Sequence, residues 1–315
     1  MLTITPLWAA DAPLTGDPGS QAPVASTPID AIFGARLQSD YNFRGISQSN
    51  LKPSPQAYGE LQILDNLFYA GVAGYRVDLP TKPQVELDLT AGVRPKVGPF
   101  TFDLGTIYYL YPDERPLGTT FTTPGGGTFQ GPPFLTPANT DFLELAGKVA
   151  YTHADALTLG GNVFGAYDWL GSGAPAVYSS ATARYVIPDT TFPASIGSLA
   201  LSGEFGRYTL GRTSPQLGRV QLPDYLYWNA GVALTVKNAT LDLRYHDTNL
   251  DRSECFTLTT DPKGLATGSN RSNWCQATFI ASLSFDFQAS KLGVFAPATP
   301  SAPPKESGAG GVPIR

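Results

Sequence analysis

The side chains that most directly suggest chemistry in this sequence are its 2 Cys and 2 His residues. Cys255 and Cys275 lie in one predicted loop, and two cysteines in one loop favour a disulfide in an oxidising compartment. Closing a loop of that length contributes about 3 kcal/mol through chain entropy. No histidine stands near the pair in sequence, so we predict neither a metal site nor a cofactor. Iron–sulfur clusters and four-cysteine zinc sites are excluded.

The two histidines offer little for catalysis. His153 falls at a predicted short turn, and His246 lies near the end of a predicted strand with Asp242 on the same face. A lipase would need a Ser–His pair on the lipid face, but the alternation along the predicted strand places His246 on the inward face. A protease would need clustered acids beside a histidine, and Asp247 and Asp251 fit solvated loop charges better. We therefore predict that the protein is not an enzyme. The enzymatic alternative predicts loss of activity in His246→Ala.

The charged residues, in contrast, recur on one face of alternating segments. In one such segment Leu87 and Leu89 alternate with Glu86 and Asp88, and a period of two indicates a strand. Acids and bases are interleaved on this polar face, which we predict lines the interior of a barrel. The predicted pore-lining residues are Arg36, Asp40, Arg44, Glu60, Arg76, Glu86, Asp88, Arg94, Asp103, Glu144, Lys148, Arg184, Glu204, Asp242, Arg244 and Asp286.

About twelve segments alternate in this way. Most are about 10 to 14 residues long, whereas strands of soluble proteins average about 5–6 and a tilted membrane crossing needs about 9–11. No run of 18 or more apolar residues argues for a spanning helix, a test that a membrane β-barrel escapes. The segments lie near 30–44, 55–65, 68–79, 84–95, 99–111, 141–153, 156–169, 174–187, 197–209, 224–236, 239–249 and 276–287.

The connections between the segments alternate in length. Short turns follow every second segment, at 65–67, 96–98, 153–155 and 237–238, and the longest loops fall between them. The connection at 188–196 is the exception, being longer than a tight turn. Short turns at one end and long loops at the other are typical of outer-membrane barrels. The sequence therefore predicts an all-β protein, an antiparallel transmembrane β-barrel of about twelve strands.

Aromatic residues gather at the ends of the segments, where they suit two interfacial girdles. The alternative is that they cap the core of a soluble β-fold. The residues are Tyr41, Phe43, Phe68, Tyr69, Tyr108, Tyr109, Tyr111, Tyr167, Trp169, Tyr225, Tyr227 and Trp228.

Three regions divide the chain. Residues 1–26 are interpreted as a signal remnant and flexible leader, with a disordered arm as the alternative. Residues 27–287 form the predicted barrel, and its last strand carries the terminal aromatic pattern that the insertion machinery reads. Residues 288–315, rich in Pro, Ala and Gly, are interpreted as a disordered tail.

Several stretches of the first third of the chain are distinctive in combination. They read SDYNFRGISQS at 39–49, FYAGVAG at 68–74, ELDLTAG at 86–92, FDLG at 102–105 and YYLYP at 108–112. Together they resemble the TorF family of porins, earlier described as Gcw_chp. The resemblance is best over 31–112 and looser towards the last strand. It implies an outer-membrane barrel with pore activity, and it carries no catalytic residues and no established substrate.

We therefore expect a porin-like channel for passive diffusion of small hydrophilic solutes in a Gram-negative outer membrane. The alternative is a closed structural or adhesive barrel whose interior charges pair across strands. The loop 112–140 is a candidate gate on its length alone. Lys52, Lys82 and Arg115 could contact lipopolysaccharide, although ordinary solvated charge explains them as well.

The expected partners are outer-membrane lipid, lipopolysaccharide, the barrel assembly machinery and small hydrophilic solutes. The net charge of −5 argues against a nucleic-acid partner. The glycines at 125–127 lack the Lys-Ser/Thr of a phosphate-binding loop. The sequence does not define the oligomeric state.

Overall fold

A computed structural model describes residues 28–115, 120–122, 128–130, 137 and 139–294. The predicted leader at 1–26 lies outside the described residues, as does most of the predicted tail. Much of the loop proposed as a gate also lies outside them.

Twelve long antiparallel strands form the body of the molecule, and each corresponds to one predicted segment. Each strand extends over residues that alternate between an apolar face and a face of polar or small side chains. They are β1 Ile29–Gln38, β2 Ser54–Ile63, β3 Phe68–Tyr75, β4 Glu86–Val93, β5 Phe100–Leu110, β6 Phe142–His153, β7 Leu157–Ala166, β8 Ala176–Val186, β9 Ser198–Leu210, β10 Tyr225–Val236, β11 Ala239–Thr248 and β12 Thr278–Gln288.

The sheet closes on itself. Each strand pairs with its neighbours in sequence, and β1 pairs with β12 so that Phe33 lies opposite Phe287. A short strand, Lys96–Val97, adds a pairing at the edge of β5. The prediction of a closed antiparallel barrel of twelve strands is therefore confirmed.

The outer surface carries an apolar belt. Along β1, Phe33 and Leu37 are exposed, while Ile32 before them and Gln38 after them are buried. Among the described barrel strands, closure leaves no unpaired edge, a property that a hydrocarbon environment would require. Other members of the belt are Leu61, Leu89, Leu104, Leu145, Val163, Phe205, Leu243 and Phe279.

The two ends of the barrel differ as the sequence predicts. Residues 237–238 join β10 to β11 at the short-turn end, and 187–197 is the one longer connection there. Six longer connections lie at the opposite end, which we call the long-loop end. They comprise residues 39–53, 76–85, 111–141, 167–175, 211–224 and 249–277.

The short helices and 3-10 turns of the described chain lie outside the strands. Helix α1, Arg252–Thr259, begins at Asp251, whose side chain accepts hydrogen bonds from the backbone of Ser253 and Glu254 in a capping box. Helix α2, Pro262–Ala266, follows it. Three 3-10 turns lie at Trp169–Gly171, Pro215–Leu217 and Ser290–Leu292. None of the described helices is long and apolar enough to cross a membrane.

The described chain includes residues 288–294, which follow the predicted barrel. Ser290 donates from its hydroxyl and its backbone N–H to the carboxylate of Asp30, at 2.6 and 2.9 Å. These hydrogen bonds join the 3-10 turn Ser290–Leu292 to the first strand, and they hold the end of β12 against β1.

Candidate functional site

The connection after β1 folds into the barrel. Within it, Asn42–Phe43 pairs with Ile46–Ser47, and residues 39–49 are called the inner hairpin here. Arg44 and Gly45 form its two-residue turn, with φ of 48° and 90°. Positive φ at both central residues is the geometry of a type I′ turn. The alternating segment predicted from the sequence extends to residue 44, whereas β1 ends at Gln38. The predicted strand is too long because it includes the first half of the hairpin.

Arg44 is at the tip of the inner hairpin and is completely buried. Its guanidinium forms two parallel hydrogen bonds, of 2.7 and 2.8 Å, with the carboxylate of Glu144 on β6. Such a bidentate pair fixes geometry as well as charge. Four aromatic rings surround the guanidinium at 4.5–4.9 Å from their centroids, and they belong to Phe43, Phe164, Tyr178 and Tyr208.

The base of the inner hairpin is held by Asp40. One of its carboxylate oxygens accepts hydrogen bonds from the hydroxyls of Ser47 and Ser49, at 2.6 and 2.7 Å. The Ser49 hydroxyl oxygen also accepts from the backbone N–H of Tyr41 at 2.9 Å. The hairpin therefore has its own internal network besides the Arg44 contact at its tip.

Tyr41 anchors the same hairpin to the opposite wall. Its hydroxyl donates to the buried carboxylate of Glu86 on β4, and its ring stacks on Tyr75 of β3 with 4.7 Å between centroids. Asp88, the next inward residue of β4, is also buried. Contacts to β3, β4 and β6 thus hold the hairpin on several sides of the interior.

The loop that contains the disulfide covers the hairpin from the long-loop end. Cys255 and Cys275 are bonded, which agrees with the sequence-based expectation. Ser47 donates from its backbone N–H to the carbonyl of Trp274 at 2.9 Å. The indole N–H of Trp274 donates to the Asn50 side chain at 3.2 Å.

A second charged cluster crosses the interior near the short-turn end. Arg94 makes a bidentate pair with Glu60 at 2.6 and 2.8 Å and a single contact with Asp103 at 3.1 Å. Its guanidinium lies 3.6 Å from the ring centroid of Tyr69, whose hydroxyl donates to Asp103 at 2.8 Å. Strands β2, β3 and β5 are joined in this way through one arginine.

A third cluster lies on the wall formed by β9, β10 and β11. Arg244 donates to Asp242 at 2.9 Å, to the Asn229 side chain at 2.7 Å and to the Ser202 hydroxyl at 2.7 Å. In these three arginine clusters, each guanidinium is therefore matched by a carboxylate nearby, as buried charges require.

A family model described as "Bacterial protein of unknown function (Gcw_chp)" matches residues 22–279. The chain belongs to the Gcw_chp family. No curated protein matches it.

Solved structures similar to this Gcw_chp chain include porins and other outer-membrane proteins. The KdgM porin has 7% identity and a TM-score of 0.43, with 82% of this chain and 99% of that chain covered. The NanC porin has 11% identity and a TM-score of 0.44, with 82% and 98% covered. OmpT from the outer membrane of Vibrio cholerae has 9% identity and a TM-score of 0.37, with 85% and 99% covered.

Most of the charged residues selected from the sequence occupy the interior of this Gcw_chp barrel. Arg94 lies just beyond β4, and Asp40 and Arg44 belong to the inner hairpin instead of a barrel strand. Those on the inward face of the barrel strands are Arg36, Glu60, Glu86, Asp88, Asp103, Glu144, Lys148, Arg184, Glu204, Asp242, Arg244 and Asp286.

Arg76 does not share this placement. It follows the last residue of β3, is exposed, and donates from its guanidinium to the carbonyl of Pro53 at 2.9 Å. Its position alternates with the buried Tyr75 and Val77, so its side chain leaves the interior. Inward and outward positions alternate along the strand, and Tyr75 faces inward, so Arg76 faces outward. The prediction that Arg76 lines the interior is therefore wrong.

Only part of the set of strand-end aromatic residues is exposed, as two interfacial girdles would require. Phe68, Tyr108 and Tyr167 are exposed on the outside. Others are buried in the interior of the long-loop half of the barrel. The buried group contains Tyr41, Tyr109, Tyr111, Trp169, Tyr225 and Tyr227. The interior of the long-loop half is accordingly an aromatic core and differs from the simple wetted lumen that the charge pattern suggested.

His246 is buried on the inward face, as its phase predicts. Its Nδ1 lies 2.9 Å from the hydroxyl of Tyr227, which in turn accepts from the Asn229 amide at 2.9 Å. Within the described part of the chain, no cluster of three or more His, Cys, Asp and Glu side chains could hold a metal ion.

An ion-pair network also links the loops outside the barrel. Asp78 accepts from the ammonium groups of Lys52 and Lys82, each at 2.7 Å, and from the Asn50 amide at 3.1 Å. Partial burial favours the neutral acid, but these three donors outweigh it and lower the pKa of Asp78 below its usual range. Asn50 connects this network to Trp274 and so to the disulfide loop.

Proposed function

We propose that this protein is a porin-like channel of the Gram-negative outer membrane, and that the inner hairpin restricts passive diffusion of small hydrophilic solutes through it. The apolar belt would face the hydrocarbon, with the long loops outside the cell and the short turns in the periplasm. In addition, residues 1–26 would be a signal remnant and leader, and 288–315 a largely disordered tail. We also infer that the resemblance to TorF porins reflects a shared activity.

The observation that carries this proposal is the way the interior is filled. The wall is charged, yet the central obstruction is a loop segment, tied to the wall by the Arg44–Glu144 pair at its tip and by the Tyr41–Glu86 hydrogen bond. A loop can move without breaking the strand pairing that closes the barrel. Movement of the inner hairpin would bring the inward charges of the neighbouring strands into contact with water, and these charges would then line the conducting path.

The proposed partners follow from the same arrangement. Lys52, Lys82 and Arg115 lie in the long loops, where they would contact anionic lipopolysaccharide. The aromatic pattern of β12 would be recognised by the barrel assembly machinery. The solute would be a small hydrophilic molecule, because the path is bounded by charged and hydroxyl-bearing side chains.

The experiment is single-channel recording in planar bilayers with purified wild-type protein and a variant whose hairpin tip is neutralised, Arg44→Gln. We expect small or intermittent conductance for the wild type and larger, longer openings for the variant. The matched control is Arg207→Gln, which breaks an exposed pair with Asp224 at the barrel rim and should conduct as the wild type.

A closed structural barrel is the second candidate, and the Arg94 cluster is the observation that favours it. This cluster joins Glu60 and Asp103 across the short-turn half, so removing the inner hairpin alone would leave a second obstruction. Absence of conductance in the wild type, in Arg44→Gln and in a double variant that also carries Arg94→Gln would reject the channel and favour the closed barrel.

A further inference from the structure

A cavity of about 300 Å³ lies above the inner hairpin, at the long-loop end of the barrel. Phe43 and Ile46 of the hairpin form part of its floor. Each of the six long connections contributes to its lining, with Trp169 and Trp274 among the contributors. We call this cavity the vestibule. Its volume is at the lower end of the range for small-molecule sites, which is about 300–1,000 Å³.

The described lining of the vestibule is free of formal charge. It contains no Asp, Glu, Lys, Arg or His, although the barrel interior immediately below is rich in them. Aromatic side chains instead supply much of the wall, including Tyr111, Tyr225 and Phe256. An ionised ligand would lose its hydration here without gaining a counter-charge, which is costly. The vestibule therefore selects for a neutral molecule with apolar faces.

The hydroxyl groups of the lining are oriented by the protein itself. Thr213 donates to the carbonyl of Leu217 at 3.2 Å, and Thr259 donates to the carbonyl of Cys255 at 2.8 Å. A hydroxyl that already donates can still accept. The indole N–H of Trp169 is buried and has no partner among the described residues. The wall thus offers chiefly acceptors between aromatic faces.

We infer that the vestibule is a binding site for a neutral sugar the size of a monosaccharide or disaccharide. A sugar ring carries apolar C–H faces that suit the indole and phenol rings, and it carries hydroxyl donors that suit the acceptor oxygens. A neutral aromatic compound would use the rings but would leave those acceptors without donors. A sugar acid would carry an unpaired carboxylate into an uncharged wall.

This inference rests on the proposed function in one respect: only if the barrel is a channel is the vestibule the first binding site that a transported solute meets. Binding and conduction are nevertheless separate measurements. Binding of the sugar to a protein that never conducts would support the site and reject the channel. Conduction without sugar binding would reject the site and leave the channel intact.

The test is isothermal titration of the detergent-solubilised full chain with glucose, maltose, glucuronate and benzyl alcohol, together with tryptophan fluorescence. We expect glucose or maltose to bind with Kd in the millimolar range, about −4 kcal/mol, and glucuronate to bind at least about tenfold more weakly. Stronger binding of glucuronate, preference for benzyl alcohol alone, or no binding of either neutral sugar would overturn the inference.

Variants locate the site. Phe256→Ala removes a lining ring in the disulfide loop and should weaken the affinity for the bound sugar about tenfold, without altering the barrel. Trp169→Phe should reduce the sugar-induced fluorescence change, and the remainder should come from Trp274, the other indole of the lining. Trp228→Phe is its matched control, because Trp228 lies on β10 outside the vestibule lining, and it should keep the change. Loss of the change in Trp228→Phe only would place binding elsewhere and contradict the inference.

Discussion

The guanidinium of Arg44 and the carboxylate of Glu144 are 100 residues apart in sequence and are joined by hydrogen bonds of 2.7 and 2.8 Å in the buried centre of the barrel. Glu144 also accepts from the Tyr109 hydroxyl at 3.0 Å. A buried ion pair adds little net stability over a matched apolar pair, but losing one partner is expensive. The pair therefore acts chiefly to fix where the inner hairpin lies.

Replacing Glu144 by Gln should release the hairpin. The change leaves the Arg44 charge buried without its counter-ion, which costs about 3–5 kcal/mol when the structure does not relax. Relaxation would move Arg44 towards water, so we expect a lower unfolding temperature in detergent and a larger conductance in planar bilayers. Asp224→Asn, which breaks an exposed pair, is the control and should change both quantities little.

The double replacement Arg44→Met with Glu144→Leu tests the same pair in another way. Both charges are gone, so no buried charge is stranded, and we expect stability nearer to the wild type than in Glu144→Gln. If Glu144→Gln instead matched the wild type in both stability and conductance, the ion pair would not be what holds the hairpin.

Gly45 should be intolerant of a side chain. It has φ of +90°, and a Cβ there would lie 2.2 Å from Cγ2 of Thr248 and 2.9 Å from Cδ2 of Tyr227. We expect Gly45→Ala to displace the hairpin and to lower the unfolding temperature. Gly98→Ala is the matched control, because Gly98 also has a positive φ, +57°, but open space around it. Both carry a backbone cost of roughly 1–2 kcal/mol, and only Gly45→Ala adds the clash. Equal effects of the two variants would show that packing around the turn is loose.

The barrel was predictable from sequence because a single period governs it. Alternation over long segments predicted about twelve strands, and the lengths of the connections predicted the two ends. The direction of the inner hairpin was not predictable in this way. Its Asn42 and Gly45 are turn residues, but whether a turn points into the barrel or out to solvent depends on Glu144 and the rings of β7, β8 and β9, which are distant in sequence.

The aromatic residues show the same limit. A tyrosine at the end of a strand has an apolar ring and a polar hydroxyl, so it suits either an interface with lipid or a buried site with a partner. Tyr108 and Tyr109 are adjacent and face opposite ways, outward and inward. Only the phase of the strand separates them, and composition alone favoured the girdle for both.

Opening the disulfide should loosen the loop that covers the hairpin. The Cys255–Cys275 bond closes a loop of 20 residues, and such a bond contributes about 3 kcal/mol by chain entropy. We expect faster protease cleavage within 249–277 after reduction, measured by limited proteolysis with and without dithiothreitol. The double variant Cys255→Ser with Cys275→Ser should be cleaved quickly in both conditions. Cleavage of the wild type that dithiothreitol leaves unchanged would mean that the helices and Trp274 contacts hold the loop without the bond.

The Asp78 network gives a prediction on pH. Because Lys52, Lys82 and Asn50 lower the pKa of Asp78 in the folded protein, its ionised form stabilises the folded state at every pH above the unfolded value of about 3.9. That contribution declines as the pH falls below about 4 and is lost once the pH passes the folded-state pKa. Exposed pairs of this kind contribute about 0.2–1 kcal/mol each.

We therefore expect Asp78→Asn to lower the unfolding temperature by a constant amount between pH 7 and 5, and by a shrinking amount below pH 4. High salt should reduce the difference, since both lysines are about half exposed and ions screen them. Asp155→Asn, at an exposed short turn, is the control and should show little difference at any pH. A difference between Asp78→Asn and the wild type that grew as the pH fell would require the opposite sign of the pKa shift, and the lysine contacts would then not form in solution.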